Sequence, residues 1–79
     1  MEIVMDFDID VDTRGLNCPI PVMKLKKALT EAQSGQVIKI VGTDPGTVKD
    51  FEAFSKQTGN PILSSSKACK EFVFFIKKK

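Results

Sequence analysis

The chain has no histidine, no tryptophan, no tyrosine and only two cysteines among its 79 residues. Without histidine there is no Cys–His nucleophilic pair and no histidine-dependent metal site. Cys18 and Cys69 are too few for a disulfide framework and too far apart in sequence for the C-x-x-C dithiol of a redox motif. No apolar run approaches the ~20 residues needed to span a bilayer, so no membrane association is expected. The opening MEIVMDFDIDVD is acidic where a secretory leader needs a basic region, and a cytoplasmic location is therefore expected.

What is present is the composition of an ordinary globular protein, 42% hydrophobic and 28% charged, sufficient for one small core. A single domain over residues 1–79, with its core at about 7–77, is expected. The first twelve residues carry five carboxylates and no basic residue, so the remaining 67 carry +7 against a whole-chain charge of +2. That basic excess is either a solvated surface or an attraction for an acidic protein or RNA.

The pattern along the chain alternates strands and helices. In FDIDVD, Phe7, Ile9 and Val11 share one face and Asp8, Asp10 and Asp12 the other, the period of a half-buried strand. Arg14-Gly15 breaks it. A helix follows, with Pro19 at its first position and Pro21 within the first turn, where neither loses an intrahelical bond. Its apolar stripe is Val22, Leu25, Leu29 and Ala32, and Ser34-Gly35 ends it. Residues 36–42 read as a second strand with Ile38 and Ile40 inward. Asp44 and Pro45 have the chemistry of an N-cap followed by N1. They open a helix with the stripe Val48, Phe51, Phe54 and Ser55, which Gly59 stops. Residues 61–66 form a weaker strand, placed at an edge by its proline and serines. Residues 67–70 read as a turn, and 71–77 as a final strand apolar on both faces.

The order βαβαββ predicts an α/β two-layer sandwich: a four-stranded mixed sheet with two helices on one face. On the open face, Asp8, Asp10 and Asp12 would lie across from Lys39 and Lys77, beside an apolar patch of Val73 and Phe75. Such a patch is either a partner or dimer surface, or partly exposed core.

Cys18 is the residue with chemistry. If Pro19 is N1, Cys18 is the N-cap, where unpaired N–H groups and the helix dipole favour thiolate over thiol. Arg14, Lys24 and Lys26 are candidate sources of further positive potential and of partner attraction. Gly15, Pro19 and Pro21 are the residues expected to position the sulfur. A thiolate without a base or a nearby resolving cysteine can still attack another sulfur. It can therefore accept a sulfane sulfur as a persulfide. The alternative is a tolerated structural N-cap.

The segment GLNCPIPVMKLKKAL resembles the signature of the TusA/SirA/YedF family of sulfur carriers, whose hallmark is C-P-x-P at the start of the first helix. Here the motif is Cys18-Pro19-Ile20-Pro21. The resemblance extends through Asp44-Pro45, Asp50, Thr58-Gly59-Asn60 and the basic last strand, roughly residues 9–77. It implies the same sandwich and a persulfide on Cys18, with no cofactor beyond that covalent sulfur. The implied donor is a cysteine desulfurase or a rhodanese, and the implied acceptor a DsrE/TusD-type or other protein. The routes served by the family are tRNA thiolation, cofactor synthesis and dissimilatory sulfur metabolism. TDPGTVKDFEAFSKQTGN is similar to members from sulfur-oxidising microbes. Many tRNA-thiolating members have Glu where Ile20 stands, and Cys69 is outside the motif.

Such a protein is a cosubstrate more than a stand-alone enzyme, with no stable nucleic-acid binding. Two other readings stay open from the residues. One is an RNA-binding or regulatory module using Lys24, Lys26 and Lys27, against which stands the lack of Trp and Tyr. The other is a redox sensor in which Cys69 resolves oxidised Cys18.

Overall fold

The computed structural model describes residues 7–17, 20–68 and 70–79. The elements are β1 (Ile9–Thr13), α1 (Ile20–Glu31), β2 (Val37–Gly42), α2 (Gly46–Thr58), β3 (Ile62–Ala68) and β4 (Glu71–Lys77). The sheet order is β1-β2-β4-β3, with β1 parallel to β2 and β4 antiparallel to both its neighbours. This is the expected four-stranded mixed sheet with both helices on one face. No helix among the described residues is long and apolar enough to cross a membrane.

The core lies between the layers. Ile38, Ile40 and Ile76 are completely buried beneath Leu25 of α1 and Phe51 of α2. Each such side chain contributes about 1.5–3 kcal/mol by leaving water. Phe51 meets Phe74 edge-on, with ring centroids 5.1 Å apart, the geometry that aligns ring edge with π-face.

Both caps of α2 follow from local chemistry. Asp44 Oδ1 accepts the Gly46 N–H at 3.0 Å, and Pro45 already has helical dihedrals (φ −58°, ψ −29°). Gly59 closes the helix in the left-handed conformation (φ 75°), its N–H bonded to Ser55 O. β2 ends on Gly42 because a Cβ there would come within 3.0 Å of Thr13 Oγ1. That hydroxyl is itself held by Val41 O at 2.6 Å.

Three expectations are corrected. β1 begins at Ile9, and Phe7 does not share a face with Ile9 and Val11. The chain bends at Asp8, and the Phe7 ring crosses to the helix-free face, 6.3 Å from Phe75 and with Lys39 Nζ 5.2 Å above it. Phe75 is consequently buried (7% exposed) and is not part of an exposed apolar patch. β3 runs on to Ala68, so the span read as a four-residue turn is shorter. Lys67 pairs with Phe72 across the ladder and lays its ammonium over that ring.

On the helix-free face Asp10 neighbours Lys39, as the pattern implied. Asp8 does otherwise: its carboxylate accepts the Val37 N–H at 2.9 Å.

Candidate functional site

The loop between β1 and α1 is pinned residue by residue. The Arg14 N–H donates to Asp12 Oδ1 at 3.0 Å. Gly15 takes φ +78°, a conformation that costs a side-chain-bearing residue about 1–2 kcal/mol, and its N–H donates to Thr43 Oγ1 at 2.9 Å. The Leu16 N–H returns to Thr13 O at 3.2 Å, and the Ile20 N–H to Asn17 O at 3.0 Å. Cys18 and Pro19 fall between these last two anchors. They lie outside the described residues, and so does the expected N-cap role of Cys18. Cys69, and with it the Cys18–Cys69 pair of the redox-sensor reading, is outside them as well.

The first turn of α1 sorts its residues by direction. Pro21 is buried and seats the helix against the core. Ile20 (44% exposed) and Met23 (62% exposed) stand out to solvent three residues apart, on one side of the helix.

Arg14 is bound at both sides. Its Nε and Nη2 grip the Asp12 carboxylate at 3.0 and 2.9 Å, and its Nη1 lies 3.6 Å from Glu71 Oε2. The side-chain hydrogen bond from Arg14, reinforced by the Arg14 backbone N–H, lowers the Asp12 pKa to about 2. The same partner raises the guanidinium further above its ordinary value. Lys24 adds a smaller attraction that also lowers the Asp12 pKa. Lys26 stands midway along α1, where it lines a cavity with Leu29, Phe54 and the C-terminal lysines.

Sequence reasoning missed two buried threonines at the loop end of the sheet, Thr13 and Thr47. Thr13 continues the alternation of Ile9 and Val11, and that signal was available. Thr47 sits four residues before Phe51 on the buried side of α2, and its Oγ1 has no hydrogen-bond partner among the described residues. Glu71 was also missed as a partner of Arg14, because no local pattern links the two positions.

The chain matches the family model described as Sulfurtransferase TusA over residues 9–78. It is 52% identical over 73 residues to the sulfur carrier protein TusA of Allochromatium vinosum, covering 92% of this chain and 96% of that protein. It is 41% identical over 69 residues to a putative sulfur carrier protein of Neisseria meningitidis, covering 87% and 93% respectively. Among solved structures, a SirA-like protein from Desulfitobacterium hafniense superposes with a TM-score of 0.79 at 25% identity, covering 89% of this chain and 96% of that one.

Proposed function

The chain belongs to the TusA sulfurtransferase family, and from that premise we propose that it is a sulfur carrier holding sulfane sulfur as a persulfide on Cys18. The observation that carries this reading is the pinned loop. Successive backbone bonds from Arg14 to Leu16, then from Ile20, hold the residues on both sides of the only motif cysteine.

The chemistry is an exchange between sulfurs. The Cys18 thiolate attacks the outer sulfur of a donor persulfide, R–S–SH. The new S–S bond forms on Cys18 as the donor's own S–S bond breaks. The donor leaves as a thiolate and takes up the proton that Cys18 gave. An acceptor thiolate repeats the exchange and regenerates Cys18. No net oxidant is consumed, and no cofactor is needed beyond the carried sulfur.

The donor is a cysteine desulfurase or a rhodanese, and the acceptor a DsrE/TusD-type or other sulfur-relay protein. The exposed side chains of Ile20 and Met23 supply apolar contact to the partner. Lys24 supplies a cation, while Arg14, held between Asp12 and Glu71, braces the loop. Gly15, Pro19 and Pro21 position the sulfur. The relay runs in the cytoplasm and feeds dissimilatory sulfur metabolism, tRNA thiolation or cofactor synthesis.

The reading is tested by supplying a cysteine desulfurase with cysteine labelled at sulfur, and separately a rhodanese with labelled thiosulfate. Reductant-labile label is expected on wild type and not on Cys18→Ser, whose fold is unchanged by circular dichroism. Label retained in Cys18→Ser would refute the assignment. Loss of folding in that variant would show a structural cysteine instead.

A further inference from the structure

At the end of the sandwich away from the β1–α1 loop, α1, α2 and the residues following β4 enclose an open cavity of about 630 Å³. Leu29, nine residues beyond Ile20 on α1, is about 14 Å further along that helix. Leu29 and Phe54 give the cavity an apolar floor, and Lys26, Lys78 and Lys79 surround it. Among the described residues no Asp or Glu side chain lines it.

The polar groups other than the ammoniums are already engaged. Asn60 is 5% exposed; its Nδ2 donates to Thr58 Oγ1 and its Oδ1 accepts the Lys79 N–H, each at 2.8 Å. The Thr30 and Thr58 hydroxyls donate back to Lys26 O and Phe54 O. What remains free to meet a ligand is three cations above an apolar floor.

Their backbone is fixed. The Lys78 N–H donates to Gln36 O at 2.7 Å and its carbonyl accepts the Gly35 N–H at 2.8 Å. The Lys79 stem lies against Gly59, its Cδ 3.3 Å from where a Cβ would stand.

We propose that this cavity is a docking site for an acidic peptide segment of a partner protein, one presenting carboxylates beside an apolar side chain. Charge complementarity selects the acid, and Leu29 and Phe54 take the apolar group. The cavity is open on one side, as suits a segment of chain laid across it. A partner held here leaves the β1–α1 loop uncovered, so the carrier can be tethered while its sulfur is exchanged elsewhere. The docking itself does not depend on the persulfide chemistry.

The test is an amide NMR titration with an acetylated hexapeptide of sequence Leu-Glu-Glu-Leu-Glu-Glu, and in parallel with oligouridylate. Saturable shifts are expected at Leu29, Thr30, Phe54, Thr58 and Asn60, weakened at least tenfold by Lys26→Glu and by Lys78→Glu. The same binding is expected in Cys18→Ser, so failure of the carrier reading leaves this result intact. Absence of saturable shifts, shifts indifferent to both charge reversals, or displacement of the peptide by tighter-binding oligouridylate would each overturn the proposal.

Discussion

Arg14 extends from the end of β1 past the end of β2 to Glu71 at the start of β4, its Nη1 3.6 Å from that carboxylate while Nε and Nη2 hold Asp12. One side chain thus ties the loop before Cys18 to two strands that are not neighbours.

The fork sets a titration. Asp12 falls from an ordinary 3.8 to about 2, first through the Arg14 side-chain hydrogen bond. Because the folded value lies below the unfolded one, the native state binds fewer protons in this interval. Its stabilising contribution is complete above about pH 4 and is lost as pH falls through 2. Carboxyl-carbon NMR should give Asp12 a midpoint of about 2, returning towards 3.8 in Arg14→Ala. An unshifted midpoint in wild type would mean that the fork does not persist in solution.

Gly15 is constrained by its dihedral and not by space, since no atom of the described residues lies within 4 Å of a Cβ built there. Gly15→Ala should cost about 1–2 kcal/mol in denaturant unfolding. Gly15→Asn should cost less, because Asn tolerates the left-handed region. Equal losses in both variants would point to a steric constraint.

Phe7 and Phe51 should separate cleanly. Phe51 is fully buried against Phe74, and Phe51→Ala should cost about 3–5 kcal/mol. Phe7 is 42% exposed and covers Phe75 on the helix-free face. Phe7→Ala should cost about 1 kcal/mol and increase binding of a hydrophobic dye. An unchanged dye signal would show that Phe75 is covered by something else.

Asp44→Ala should lose about 1 kcal/mol by removing the side-chain acceptor from the Gly46 N–H. Asp44→Asn and Asp44→Ser should recover most of it. Failure of both to do so would assign Asp44 a role other than capping.

The parts of the fold visible in the sequence are those encoded over a few residues. The alternation of Ile38 and Ile40 and the left-handed Gly59 need only local geometry and are found as read; the Asp44-Pro45 opening is found one residue later, with Pro45 at the N-cap position and Asp44 Oδ1 accepting the Gly46 N–H. Phe7 is misread because alternation alone gives no notice of the bend at Asp8. β3 is underestimated because an edge strand of serine and lysine shows little periodicity in apolarity. The Arg14–Glu71 contact and the lysine-ringed cavity join distant segments, and only the sheet order brings them together. Of the candidate site, the motif and the family were legible from Cys18-Pro19-Ile20-Pro21 and the residues around it. The commitment of Arg14 to two carboxylates and the placement of Lys26 at the lysine-ringed cavity were not.

The central claim is that Cys18 carries the sulfur. Intact-protein mass spectrometry after incubation with polysulfide tests it most directly, on wild type, Cys18→Ser and Cys69→Ser side by side. The account predicts one added, reductant-labile sulfur on wild type and Cys69→Ser and none on Cys18→Ser. Sulfur on Cys18→Ser, or none on wild type, would contradict it.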